Sequence, residues 1–206
     1  RYKGMTALNI AVAKNYEDPT RILRDELGAL RGPQARLGAA CATGDAAGAR
    51  KAVDDGADVN AGVFKACNGT MGGTCTAAYV AAYHGHGGVL GVLLSAPVSA
   101  DPNKGNTKNG KTTCHIACLM DHPDAVTVLL AHGADPNIAD VSGITPCMTA
   151  ALYGSTACLR ALAEGAALQE GRTLDVNAVV TGGPNEGKPA LDLAVEGDED
   201  EATAYL

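Results

Sequence analysis

Apolar residues recur along the chain at a spacing that predicts short, paired helices. The segments 89–93 and 126–130 carry apolar residues at i, i+3 and i+4, which places those side chains on one face of a helix. A shorter apolar stretch precedes each segment, and Gly85 or Asp121 stands between the two parts. Glycine, like Asn or Asp, tolerates the left-handed conformation that ends a helix and turns the chain. The pattern therefore predicts successive helical hairpins.

A short Asp-x-Asn element follows the hairpins. It occurs at 58–60, 101–103, 135–137 and 175–177, each time after an apolar helical stretch. Asp and Asn favour turns because their side chains hydrogen-bond the backbone nearby. We expect each copy to begin an extended finger that leads to the next hairpin.

A third recurring element precedes each of these apolar stretches and contains the start of the first helix of the hairpin. It covers residues 4–11, 110–117, 143–150 and 187–194. Thr112 and Thr145 stand where a hydroxyl caps a helix, and Pro146 follows at the first helical position, where its missing N–H costs nothing. The element resembles the T-P-L-H-x-A motif of ankyrin repeats, whose period is 33 residues. That resemblance implies a hydrogen bond between Thr112 and His115.

The spacing of the motif predicts an irregular array. Its Leu position falls at Leu8, Leu37, Ala78, Cys114, Cys147 and Leu191. Only the step from Cys114 to Cys147 equals the family period. The resemblance implies an all-α ankyrin-repeat solenoid of about six helix pairs with extended finger loops, forming one array over residues 1–206. We expect copies near 4–32, 33–61, 74–103, 107–138, 140–178 and 184–206.

Three insertions interrupt the array, at 62–74, 168–174 and 179–186. The first is rich in glycine. Long surface loops are tolerated at little entropic cost, and they often carry recognition. The first copy lacks its finger and the last stops within its second helix, so we interpret the 206 residues as part of a longer chain.

Composition narrows the classes of function. The formal net charge of −7 argues against a nucleic-acid partner, since such proteins usually present a basic face. The apolar stretches are too short to cross a membrane. Seven cysteines, an odd number at irregular spacing, do not form a secreted disulfide framework, so we expect an intracellular, reducing compartment. Cytoplasm, nucleus and organelles all stay open, and so does a removed targeting segment.

Cysteine and histidine suggest chemistry at two places. Cys67 and Cys75 flank most of the first insertion and are compatible with a disulfide, a redox switch, half a metal site, or two loop thiols without a role. Cys114, His115 and Cys118 share one helix and could hold a metal, although Cys114 also fills the core position of the motif. Nothing assembles a nucleophile, a base and an orienting group. We therefore expect a protein that is not an enzyme and has no cofactor or metal.

The family resemblance also implies a binding surface, because ankyrin arrays bind proteins through a concave groove between the finger tips and the first helices. The two positions before each turn residue would line this groove on the helix side, at Tyr83, His84, Leu119, Met120, Leu152 and Tyr153. Lys108, Lys111, Val141 and Ile144 would line the finger side. An alternative is that the helix-side residues pack only against neighbouring helices.

Three functions are compatible with these features. The first is a non-enzymatic interaction module or adaptor that binds an unidentified protein partner through the groove. The second is a structural or linker subunit of a large assembly, with the insertions and the convex side as spacers. The third is a regulatory segment of a longer enzyme.

Overall fold

The computed structural model describes residues 32–62, 64–65, 74–95, 97–169 and 172–206. Their helices come in consecutive pairs. The pairs are α1 (Pro33–Thr43) with α2 (Ala46–Asp54), α3 (Ala77–Tyr83) with α4 (Gly87–Leu94), α5 (Thr113–Leu119) with α6 (Pro123–Ala131), α7 (Pro146–Leu152) with α8 (Thr156–Ala167), and α9 (Ala190–Gly197) with α10 (Asp200–Tyr205). The predicted all-α array is confirmed. Of its predicted first copy, 4–32, all residues before 32 lie outside the described residues.

Two short strands join the array at the first insertion. β1 (Phe64–Lys65) pairs antiparallel with β2 (Thr74–Cys75), so that Phe64 lies opposite Cys75. The β2 strand also contacts the next finger, because the Thr74 N–H donates to the Thr107 hydroxyl at 2.9 Å and the Thr107 N–H donates to the Thr74 carbonyl at 3.0 Å. The base of the insertion is thereby fixed to the array.

Threonine caps begin the first helices of the middle copies. The Thr76 and Thr145 hydroxyls accept backbone N–H groups three residues later, each at 3.3 Å. At Thr112, the backbone N–H donates to His115 Nδ1 at 3.0 Å, and the hydroxyl lies 2.8 Å from the same nitrogen. The predicted pair of Thr112 with His115 is confirmed.

Left-handed residues end these helices, as predicted. Gly85, Gly154 and Asp121 have φ of 73°, 67° and 57°. At Gly85 the next copy also requires glycine, because a Cβ there would lie 2.7 Å from Nδ1 of His122. The residue after one turn therefore packs against the turn of the preceding copy.

The pairs stack in one direction. The first helices α1, α3, α5, α7 and α9 contact one another in succession, and so do the second helices from α2 to α8. One apolar cluster runs through the stack, and its fully buried members include Leu37, Leu90, Ile116, Leu129, Leu162 and Leu193. Stability in such an array is approximately a sum over neighbouring pairs.

The Asp-x-Asn elements form a ladder that joins the copies on the finger side. In each element the aspartate accepts the N–H of the asparagine two residues later. The asparagine side chain then accepts the N–H of the next copy's aspartate, from Asp101 to Asn60 at 2.8 Å, from Asp135 to Asn103 at 2.8 Å, and from Asp175 to Asn137 at 2.9 Å. These bonds fix the fingers at a constant spacing.

The last described pair presents an apolar face to solvent. Leu191 and Val195 of α9 are exposed, whereas Cys114 and Cys147, at the same motif position as Leu191, are buried. The difference arises because the first helix of the next copy covers α5 and α7, whereas α9 contacts α7 and α10 and no described first helix follows it. Among the described residues, no helix has the length and apolar character needed to cross a bilayer.

Candidate functional site

The helix side of the candidate groove lies where α3, α5 and α7 end. We call six residues there the helix ladder: Tyr83, His84, Leu119, Met120, Leu152 and Tyr153. Each pair directly precedes a left-handed turn residue. Because these three helices contact in succession, the structure brings the three pairs together along one side of the array.

Accessibility differs within the helix ladder. Tyr83 and Leu119 are only 7% and 9% exposed and belong to the apolar core cluster. Met120 and Leu152 are half-buried, and Tyr153 is 39% exposed. Tyr83 and Leu119 therefore pack mainly against neighbouring helices. The accessible part of the helix ladder consists of the half-buried His84, Met120 and Leu152 and the exposed Tyr153, of which the last three form its apolar portion.

The finger side is built on a repeated pair of backbone hydrogen bonds. The carbonyls of Lys111, Ile144 and Lys188 accept the N–H of Asn106, Asp140 and Val180 at 3.0, 2.8 and 3.1 Å. In each copy a second bond runs to the carbonyl of that same Asn106, Asp140 or Val180, donated by Gly110, Gly143 or Gly187. Lys111, Ile144 and Lys188 thus occupy one equivalent place, which we call the finger-base position.

The tips of two fingers adjoin. The Val141 N–H donates to the Asn109 carbonyl at 3.0 Å, so the finger that precedes α7 lies against the finger that precedes α5. Lys108 is exposed on the first of these fingers, and Val141 is 74% exposed on the second. A cation and an apolar side chain therefore stand side by side at the rim.

Lys111 lies deeper than Lys108 and is half-buried. Burial lowers the pKa of its ammonium group, and the carboxylate of Asp140 opposes that shift. Asp140 is itself buried, and its Oδ1 accepts the N–H groups of Ser142 and Ile144 at 2.9 and 3.1 Å. Asp140 therefore serves chiefly to hold its own finger together.

His84 contributes a polar atom without a described partner. Its Nε2 is buried, and no described residue forms a hydrogen bond with it. The ring stacks on His86 with centroids 5.9 Å apart and meets the Tyr83 ring edge-on at 5.0 Å. His86 has a structural role, since its Nε2 lies 3.2 Å from the Ala42 carbonyl.

His115 belongs to the core instead of the groove. Its ring is fully buried, with Nδ1 at Thr112 and Nε2 2.8 Å from the Ile144 carbonyl. Because Nδ1 accepts the Thr112 N–H, the ring proton lies on Nε2 and donates to that carbonyl. Burial, as the largest cause, lowers the pKa of His115 to about 4. The histidine therefore joins two fingers in its neutral form.

The cysteines of the middle copies also lie in the core. Cys114, Cys118, Cys147 and Cys158 are buried, and burial raises the pKa of Cys114 to about 12 and of Cys147 to about 11. No three His, Cys, Asp or Glu side chains of the described part are grouped as metal ligands. Cys67 lies outside the described residues, so its relation to Cys75 stays a prediction.

One polar pair was absent from our sequence-based prediction. The Lys188 ammonium donates to the Glu196 carboxylate at 2.7 Å, so that a finger residue reaches the end of α9. The available signal was the repeated Gly-Lys dipeptide at 110–111 and 187–188.

Comparison with known proteins identifies the family. The family model for ankyrin repeats (3 copies) matches residues 37–140, half of the chain, and the chain belongs to this family. Proteins of this family generally act in protein–protein interaction.

Curated relatives match shorter parts of the chain. Regulatory protein NPR6 of Arabidopsis thaliana is 54% identical over 48 residues, which are 23% of this chain and 10% of the relative. BTB/POZ domain and ankyrin repeat-containing protein NBCL of Lotus japonicus is 52% identical over 48 residues, with the same shares. Target of rapamycin complex 2 subunit AVO2 of Saccharomyces cerevisiae is 34% identical over 91 residues, 44% of this chain and 20% of the relative. The matched part thus spans a fifth or less of each relative.

Proposed function

We propose that this array is a non-enzymatic interaction module that binds a protein partner through the groove between the finger tips and the helix ladder. The observation that supports it most is the accessible apolar surface at the ends of α5 and α7, from Met120 to Leu152 and Tyr153. Aromatic and apolar side chains of this kind anchor interfaces when a partner covers them.

The fingers add polar contacts to this apolar strip. Lys108 and Val141 stand at the rim, and the asparagine ladder holds their fingers at fixed spacing. A preorganised surface loses little conformational entropy on binding, which favours affinity. A standard partner footprint of about 800 Å² per side suits a surface that extends over several helix pairs.

The titratable groups of the core support a binding function over an enzymatic one. Cys114 and Cys147 are kept as thiols by burial, and both ring nitrogens of His115 are occupied. A nucleophile needs an accessible, activated group, and these residues are neither accessible nor activated. Cys114, Cys147 and His115 therefore contribute to the packing of the core.

The test compares a double truncation in the groove with a single truncation at an exposed apolar residue outside it. M120A/Y153A shortens the accessible part of the helix ladder, whereas Leu168→Ala truncates an apolar residue that is 86% exposed beyond α8. Tagged wild-type and variant chains are used for affinity purification from source cells with quantitative mass spectrometry. We expect proteins that wild type and L168A both capture to be lost with M120A/Y153A. Equal capture by all three would reject the groove.

Tyr83 and Leu119 are unsuitable for that test because they are buried. Truncation of a buried Leu to Ala costs about 2–5 kcal/mol of stability, so lost capture would report unfolding as well as lost contact. Circular dichroism of M120A/Y153A checks that the helices of this variant persist.

A second candidate function is a structural subunit of a large assembly, favoured by the similarity to a protein named as a complex subunit. The insertions and the convex side would then make the contacts. Deletion of residues 62–74 should release the chain from high-molecular-mass fractions, while M120A/Y153A remains incorporated. Incorporation of the deletion variant would argue against this role.

A further inference from the structure

In the last copy the finger-base residue contacts a residue near the end of the first helix, and the register assigns an equivalent helix-end position to the two preceding copies. This helix-end position is the second residue before the left-handed turn residue, and it falls at Leu119, Leu152 and Glu196, with turns at Asp121, Gly154 and Asp198. Three combinations of finger-base and helix-end residue follow: Lys111 with Leu119, Ile144 with Leu152, and Lys188 with Glu196.

Two of the three combinations are chemically matched within the chain. In the last copy the Lys188 ammonium donates to Glu196 at 2.7 Å and also to the Asn185 side chain at 3.3 Å. In the preceding copy Ile144 and Leu152 are both apolar and both pack partly buried against the core. In each of these two copies, the finger-base residue therefore finds a matching side chain within the same copy.

The combination of Lys111 with Leu119 is not matched. The register puts a leucine where the last copy has the carboxylate of Glu196. Within the described part of the chain, no carboxylate lies within 4 Å of the Lys111 ammonium. Burial lowers the pKa of Lys111 and the carboxylate of Asp140 opposes that shift, but the half-buried ammonium forms no ion pair with a described carboxylate.

Charged groups near Lys111 lie on its own finger, on the next finger and on α5. Lys104 and Lys108 belong to the same finger, and Lys104 is engaged with the Asn60 carbonyl at 2.8 Å. Asp140 of the next finger is occupied by backbone N–H groups, and Asp121 is exposed at the turn of α5. His115 of α5 is neutral because its pKa is about 4. Asp101 of the same finger and Asp135 of the next are held within their own fingers, since each accepts the N–H of the asparagine two residues later.

We propose that the partner is a peptide segment with an acidic side chain that pairs with Lys111, as Glu196 pairs with Lys188 within the chain. This inference rests on the proposed groove function. The apolar residues that flank the acidic side chain contact Met120 and Tyr153. Lys108, exposed on the same finger, supplies a second cation at the rim.

The probe is a display library of random twelve-residue peptides, selected on the intact chain. We expect wild-type selections to enrich peptides in which Asp or Glu is flanked by apolar residues. Selections on Lys111→Met should lose the acidic residue and keep the apolar ones. Lys188→Met is the matched control, because Lys188 is already paired with Glu196 within the chain. It should select the same acidic peptides as wild type, and so should Lys111→Arg.

A synthetic form of one enriched peptide gives the magnitude by fluorescence polarisation. Replacing its acidic residue by the amide should weaken binding to wild type by about tenfold or more, as loss of a charge-assisted hydrogen bond does. The same replacement should change binding to K111M by less than about twofold. Added salt should weaken binding to wild type more than binding to K111M.

Two results would overturn the inference in distinguishable ways. Equal acidic enrichment on K111M and wild type, with enrichment lost on M120A/Y153A, would reject Lys111 and leave the groove in place. Enrichment that is the same on M120A/Y153A, or absent on wild type, would reject the groove and this inference together.

Discussion

Acid should destabilise this array through His115, and the variant His115→Met should remove that effect. The ring is fully buried and its pKa is about 4, against 6.5 for an exposed histidine. The unfolded chain therefore binds a proton between these values that the folded chain refuses. The contribution of His115 to the free energy of unfolding is fully present above about pH 6.5, and it is lost as the pH decreases toward 4. Met is the natural replacement, because Met148 occupies the same place in the next copy, where its Sδ accepts the Thr145 N–H at 3.5 Å.

The shift of the His115 pKa sets the size of the effect. A difference of about 2.5 pKa units corresponds to about 3 kcal/mol in total, at 1.36 kcal/mol per unit. Between pH 7 and pH 5 the loss is about 2 kcal/mol, since most unfolded chains then carry the proton. His122 adds to the loss in the same direction, because burial lowers its pKa too. At pH 7, H115M should be less stable than wild type by about 1–3 kcal/mol, because the Ile144 carbonyl loses its donor.

Urea titrations followed by far-UV circular dichroism at pH 7, 6 and 5 measure both quantities. All other groups titrate alike in the two proteins, so the difference between their pH dependences isolates His115. We expect the free energy of unfolding to fall about 2 kcal/mol further in wild type than in H115M. Parallel pH dependences would show that His115 accepts a proton in the folded state, and the burial argument would then be wrong.

Three further predictions concern the array itself. Gly85→Ala should lower the urea midpoint more than Gly56→Ala, because both glycines have positive φ but only Gly85 has a neighbour, His122, that a Cβ would strike. Asn103→Ala should cost about 1 kcal/mol in the same titration, since it removes the acceptor of the next finger's backbone N–H. Cys114 should resist iodoacetamide at pH 8 in the native protein and react in denaturant, as mass spectrometry of its peptide can show, because it is buried with a pKa of about 12.

Local features of the array were predictable because they depend on nearest neighbours in sequence. A threonine three residues before its hydrogen-bond donor caps a helix wherever it stands, and a left-handed residue ends one, so Thr145 and Gly154 mark α7 without reference to the rest of the fold. The hydrogen bond between Thr112 and His115 was implied by the family motif, whereas the bond from His115 to the Ile144 carbonyl was not predicted. These features placed the described helix pairs in the correct order.

Accessibility at the site was less predictable because it depends on the next copy. Tyr83 and Tyr153 both lie in the helix ladder, yet Tyr83 is buried and Tyr153 is exposed. Tyr83 and Leu152 stand at the same position before their turns, yet Tyr83 is buried and Leu152 is only half-buried. The pair of Lys188 with Glu196 was not predicted either. The two residues are eight positions apart in sequence, and their side chains meet only because the finger folds back onto the end of α9.

The copies of the array carry different residues at the finger-base position, and this difference allows the proposed groove to distinguish one peptide sequence from another. A solenoid of identical copies would present the same residue at every finger-base position, and a partner would slide along it without a preferred register. Here three successive positions differ: Lys111 is an open cation, Ile144 is apolar, and Lys188 is closed by Glu196. A segment with one acidic and one apolar side chain can satisfy the first two positions only in one direction and one register. Exchanging Lys111 and Ile144 should therefore reverse the order of acidic and apolar residues in selected peptides, and an unchanged order would show that these positions do not set the register.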